Sequence, residues 1–236
     1  MKYYLYETHL HTKESSRCGH VPAAQMVDEY LARGYAGIVV TDHLPGDYLP
    51  ELPASTDWQV WVDHLLAGYK AAKAAGDEKG LDVILGVEIR FPANDSDYLL
   101  YGVDEEFLRA NPFLHQTNIK RFFRKYGSQL LIIQAHPFRT SFPVYPRFMH
   151  GVEIVNCNER HDSRNELALA LTNDHKKLKQ LAGSDAHRME DIGRAALMLH
   201  QQITNSHMLK RVIENGQYTL CCPELNDIIL QSRHHE

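Results

Sequence analysis

Cysteine is scarce: the 236 residues hold four, and Cys18, Cys157, Cys221 and Cys222 show no CxxC spacing. That excludes a disulfide-dense secreted scaffold and a structural zinc site built from thiolate pairs, and it predicts free thiols in a reducing compartment. No apolar run approaches the roughly 18 residues of a membrane helix. The N-terminal MKYYLYETHLH lacks the apolar core and small-residue cleavage site of a signal peptide, so a cytoplasmic protein with no membrane partner is expected. Excess positive charge is missing too. Lys+Arg 25 against Asp+Glu 30 gives a net charge of -5, so no global basic field gathers nucleic acid or anionic lipid. No linker, internal repeat or low-complexity tract divides the chain, which predicts one domain over residues 1–236. What the sequence does have is histidine, 15 residues of the side chain that most often binds metals and carries protons.

Short β-branched runs alternate with longer helical segments, the pattern of strand-helix units around a parallel sheet. YYLYETHLH, YAGIVVTDH, LDVILGVEI, DYLLYGV, QLLIIQAH, GVEIVNCN and KLKQLAGSDAH read as seven strands in order. Helices are expected after Pro22 as far as Gly34, from about Trp58 to Lys79, over FLHQTNIKRFFRKYG, and from a capping box of Ser163 and Glu166.

Position sorts the histidines. His9, His11, Asp42, His43, Glu88, His136, Asp185 and His187 fall at or just past the C-terminal ends of these strands, where barrel active sites are built. His9 and His11, two apart on one strand, share a face and can converge on one ion, and Asp185 with His187 repeats the spacing. Imidazole mixed with carboxylate suits zinc, iron or manganese in an open catalytic site. Glu88, at the end of the apolar DVILGV, is costly to bury without a cation or a hydrogen-bond network. His64, His115, His175, His200 and His207 lie in predicted helices and need no such role.

Taken in order from about residue 5 to 187, ETHLHT, VTDH, GVEI, AHP and GSDAH resemble the PHP family, named for polymerase and histidinol phosphatase. The resemblance implies an α/β fold, a distorted seven-stranded β/α barrel of TIM-like form, with two or three divalent metal ions (Zn, Mn or Fe) and phosphoester hydrolysis. By position it implies that His9, His11, Glu88 and Asp185 hold one ion, Glu88 and His136 a second, and His43 and His187 a third. Asp42 is then an acceptor that orients a histidine. Two positions depart from the family pattern. After HTxxS the sequence reads KESSRCGH, offering Arg17, Cys18 and His20, of which His20 is the preferred ligand; after the fourth strand it reads YGVDEE, offering Asp104.

Paired ions lower the pKa of a shared water to give a bridging hydroxide and stabilise charge on phosphoryl oxygens. Basic groups should assist at the rim, and Arg139, Arg90, Arg160 and His161 are the candidates, with Arg139 and Asp42 closest to the chemistry. The partner expected is a small phosphorylated substrate, a phosphate monoester of the histidinol phosphate kind. Hydrolysis of oligonucleotides and a degenerate barrel that binds metal or phosphate without turnover remain the alternatives. An amidohydrolase is disfavoured because no lysine ends the fourth strand. The basic, aromatic IKRFFRKYG reads as an amphipathic helix with a solvated cationic face, so nucleic acid is not the favoured partner.

Overall fold

The computed structural model describes residues 2–44, 56–92, 96–140, 144–223 and 225. Most of the Pro/Asp-rich loop after His43, and His234 and His235, lie outside them. Strand β1 (Tyr4–Leu10) runs centrally in a sheet ordered β11-β10-β1-β2-β4, with β2 at Gly37–Val40, β4 at Asp82–Leu85, β10 at Ala196–Leu199 and β11 at Thr219–Cys221. A second sheet is ordered β3-β5-β6-β7-β8-β9: β3 His43–Leu44, β5 Val87–Arg90, β6 Asp97–Tyr101, β7 Leu131–Gln134, β8 Gly151–Asn156 and β9 Lys179–Gly183. The fold is mixed α/β. Its hydrogen-bonded pairings describe two sheets rather than one closed ring of seven strands. The predicted third strand is broken at Gly86, where a Cβ would lie 2.8 Å from Thr41 and 3.0 Å from Val39, and the second is broken after Val40.

The sheets nevertheless share an interior. Tyr6, Val39 and Ile84 from the first pack with Leu99, Tyr101, Leu131, Ile133 and Leu181 from the second in one buried cluster. A parallel bridge between Leu10 and Ala186 joins β1 to the segment after β9. The helices cover the outer faces: α1 (Ala23–Ala32) and α2 (Trp58–Lys79) the first sheet, α3 (Glu105–Ala110) and α4 (Ile119–Tyr126) the second, α5 (Asn165–Asp174) β8, while α6 (Ser206–Glu214) packs beside β6. Asp57 caps α2 by accepting from the Gln59 backbone N at 2.7 Å, and Gly80 ends it at φ +84°, which a glycine reaches without steric cost. Among the described residues no helix is long and apolar enough to cross a membrane.

Three expectations need correction. β6 is antiparallel to both β5 and β7, so the sheet is mixed. The helix over FLHQTNIKRFFRKYG covers only Ile119–Tyr126, because Asn118 caps it by accepting from the Arg121 backbone N. Ser163 does not cap α5, whose first turn follows Arg164 in the left-handed region; the Ser163 hydroxyl accepts from Arg139 instead. On α4, Ile119, Phe122 and Tyr126 are buried, and Lys120 and Arg124 lie over the rings of Tyr145 and Phe148.

Candidate metal centre

β1 delivers His9, and His11 follows just past its end; both are fully buried, with their Nε2 atoms 3.2 Å apart. Asp185 Oδ1 lies 3.4 Å from His9 Nε2 and 3.3 Å from His11 Nε2. Glu88 places Oε1 3.5 Å from His9 Nε2 and Oε2 3.3 Å from His11 Nε2. Two donors each about 2.0 to 2.1 Å from a zinc ion at tetrahedral angles are themselves about 3.3 to 3.4 Å apart. His9, His11 and Asp185 therefore have the mutual spacing of ligands around a single cation, and Glu88 lies against both histidines. Glu88 Oε1 is buried with no hydrogen-bond partner, a cost that a cation would offset. The donor set fits a divalent metal.

Its electrostatics agree. Burial alone would raise Glu88 and Asp185, but the surrounding histidines, with Arg139 beside Asp185, hold both well below the usual carboxylate range. Burial lowers the pKa of His9, yet Glu153, Asp185 and Glu88 outweigh it and hold the ring well above its ordinary value. The site is a field of carboxylates that attracts positive charge.

Glu153, in the middle of β8, holds the cluster from behind. Its Oε1 lies 2.9 Å from His9 Nδ1, while Oε2 accepts from the His136 backbone N at 3.0 Å and from Asn156 Nδ2 at 2.8 Å. With Nδ1–H given to Glu153, Nε2 is the His9 nitrogen that a cation can take, in exchange for its proton. Glu7 does the equivalent for the backbone, accepting from Thr8 N, His9 N, Ser184 N and the Tyr30 hydroxyl at 2.9 to 3.1 Å, so that β1 and the Asp185 turn are tied together. Sequence reasoning missed both, although each shows the signal that singled out Glu88, a lone carboxylate in an apolar strand. Of the four non-glycine residues with positive φ among the described residues, two are His136 (φ 28°) and Asp185 (φ 50°), so the backbone is held in a costly conformation where these side chains are presented.

A second group unites Glu88, Asp97 and His136. Asp97 takes the place sought for Asp104, which caps α3 by accepting from Phe107 N and lies against His207 on the surface. The reason is strand direction. Because β6 is antiparallel, its first residue pairs with Arg90 and stands level with the C-terminal ends of β5 and β7. A third group unites His11, Cys18, His43 and His187. His20 is exposed; it lines the cleft beside this group, and its backbone N donates to the His187 carbonyl, but it is not among the grouped ligand atoms. Among the described residues, the bonds to the Asp42 carboxylate come from Thr12 and Ser16 rather than a histidine: it accepts from Thr12 N at 2.8 Å, Thr12 Oγ1 at 2.7 Å and Ser16 Oγ at 2.6 Å, pinning the turn after β1. Cys157 packs against Cys222, with sulfurs 3.2 Å apart, under the outer face of β8; none of the four cysteines is in a disulfide.

Above these groups opens a cleft of about 260 Å³, with Arg90, Arg139, Arg160, His161 and Arg188 around its edge. Three of the arginines are held by carboxylates. Arg90 forks onto Asp97 with two bonds of 2.7 Å, Arg139 Nη2 donates to Asp185 Oδ2 at 2.8 Å and Asn156 Oδ1 at 2.7 Å, and Arg160 grips Asp191 at 2.7 and 2.8 Å. Arg188, whose Nη1 lies 4.0 Å from Glu190 Oε1, is a further lining cation that sequence reasoning did not single out.

Solved structures share the fold. PsfC from Pseudomonas syringae aligns with a TM-score of 0.68 at 16% identity, over 100% of this chain and 98% of its own. A two-domain Bacteroides vulgatus protein containing a predicted PHP-like metal-dependent phosphoesterase aligns at 0.66 and 19% identity, over 94% of this chain and 65% of its own. The lesion-specific endonuclease PfuEndoQ from Pyrococcus furiosus aligns at 0.61 and 14% identity, over 93% and 58%. The chain thus spans less than two thirds of the last two. No curated protein sequence matches it. The PHP domain profile matches residues 7–215, nearly the whole described fold, and the chain belongs to the PHP family.

Proposed function

We propose that this PHP-family hydrolase is a metal-dependent phosphoesterase acting on a small phosphate monoester. One observation carries the reading: ligand atoms spaced for a common cation form the floor of a small cleft whose edge is arginine. His9, His11, Glu88 and Asp185 would hold one divalent ion, Glu88, Asp97 and His136 a second, and His43 with His187 would serve a third. Bound there, such ions supply Lewis acidity, activating water and offsetting phosphoryl charge.

The chain's own residues do the rest. Glu153 and Glu7 fix the ligands, so little reorganisation is left for the moment of reaction. Arg139 and Arg160, oriented by Asp185 and Asp191, present guanidinium groups where an anionic ester enters, with Arg188 and His161 beside them. A cleft of about 260 Å³ lies at or below the small end of ligand pockets and favours a compact monoester over a polymer.

A panel of phosphate monoesters and oligonucleotides, assayed with zinc, manganese or iron, tests the reading. Monoester turnover that exceeds oligonucleotide turnover supports it. The reverse preference would make the chain a phosphodiesterase, and metal binding with no turnover of either would make it a binding protein.

A further inference from the structure

The third group of ligand atoms contains a sulfur. Cys18 Sγ and one ring nitrogen each from His11, His43 and His187 all lie within 4.8 Å of one another. His11 is fully buried, and its Nδ1 has no hydrogen-bond partner. His187 Nδ1 lies 2.7 Å from the Asp185 carbonyl, which leaves Nε2 as the nitrogen that can bind a cation. The His11 ring stands 4.2 Å from that of His43 and 4.4 Å from that of His187, so the imidazoles crowd one small volume.

Cys18 is also held in place. Its turn is closed by Ser16 N to the Thr12 carbonyl at 3.0 Å and Gly19 N to the Ser16 carbonyl at 2.9 Å, and Asp42 anchors Thr12 and Ser16. At Gly19 a Cβ would fall 2.4 Å from the Thr12 carbonyl oxygen, so only glycine allows so close an approach next to the cysteine. A half-buried thiol fixed on such a turn, at the edge of the cleft and among three imidazoles, is arranged as a ligand.

We propose that Cys18 binds a zinc-class divalent ion through its thiolate, together with His43 and His187, and that this sulfur biases the third position toward zinc and away from manganese or magnesium. Thiolates select borderline and soft ions, whereas the purely nitrogen and oxygen groups beside it accept harder ones. On binding, the S–H bond breaks, its electron pair goes to the ion and the proton to solvent; nothing is oxidised. The inference rests on the metal-centre reading above.

Spectroscopy tests it without turnover. Chelator-treated protein is titrated anaerobically with cobalt(II), and bound cobalt is counted by elemental analysis. A near-ultraviolet thiolate-to-cobalt charge-transfer band should grow with bound cobalt, vanish in Cys18→Ser and persist in Cys157→Ser and Cys221→Ser. Affinity for the last cobalt should fall at least about tenfold in Cys18→Ser, no less than the loss of an outer-shell partner. Cobalt bound without the band would overturn the Cys18 assignment and leave the metal centre standing; no bound cobalt would overturn both. Should Cys18→Ser fail to fold, alkylation of the wild-type protein decides: zinc should protect Cys18 from iodoacetamide and magnesium should not, whereas equal labelling with and without zinc contradicts the proposal.

Discussion

Glu153 Oε1 lies 2.9 Å from His9 Nδ1, a carboxylate-imidazole contact wholly inside the protein. Replacing Glu153 with Gln removes the charge and one of the acceptors that serve His9, His136 and Asn156. Metal affinity should fall roughly 10- to 100-fold, the loss typical of an outer-shell partner, with the fold retained. Calorimetric metal titration alongside circular dichroism checks this, and unchanged affinity would mean that Glu153 is only packing.

Gly183 makes room for that contact. A Cβ there would lie 2.4 Å from Glu153 Oε1, which can move only by breaking its contact with His9, and 2.6 Å from His9 Cβ, which is fixed to the β1 backbone. Gly183→Ala should therefore cost about 1 to 3 kcal/mol of stability, as overpacking does, and weaken metal binding as well. Thermal unfolding matching the wild type would show that β9 shifts freely.

Asp97 and Asp104 separate two accounts of the second cation group. Asp97→Asn should lower metal stoichiometry or affinity, whereas Asp104→Asn, which alters a surface helix cap and a surface contact with His207, should leave both unchanged. Elemental analysis of the two variants reads the difference, and equal effects would refute the geometry.

Metal affinity should rise with pH. Burial lowers the His11 pKa, but hydrogen bonds to Asp185 and Glu88 more than reverse this and raise it to about 9, and the same carboxylates with Glu153 raise His9. Below about pH 9 an entering ion must displace a proton from these rings, so affinity declines as pH falls. Glu88 and Asp185, held low, and His187, lowered to about 3 by burial and by neighbouring His11, stay deprotonated through neutral pH and do not compete there. Equilibrium dialysis from pH 6 to 9 should show the slope, and a flat profile would contradict the charge balance.

Much of the cluster is readable from local sequence. His9, His11, Glu88, His136, Asp185 and His187 announce themselves because each falls at or near the end of an apolar run that reads as a strand. Asp97 does not, since its position depends on β6 running antiparallel, a property of pairing that no local pattern encodes. Cys18 groups with the histidines while His20 lines the same cleft from an exposed position, and the turn pinned by Asp42 that sets this arrangement is a tertiary feature. Glu7 and Glu153 were legible in principle, as carboxylates inside YYLYETHLH and GVEIVN, but their partners lie on other strands. The division into two sheets was hidden for the same reason: it turns on strand pairing, and on a close contact at Gly86 that only the packed structure reveals.

The most direct test measures bound metal and phosphate release on one purified sample, before and after chelation. The account predicts at least two divalent ions per chain, hydrolysis of a phosphate monoester that disappears with the ions, and its return when zinc, manganese or iron is restored. One ion or none, with no phosphate released after any of these metals is supplied, would contradict it.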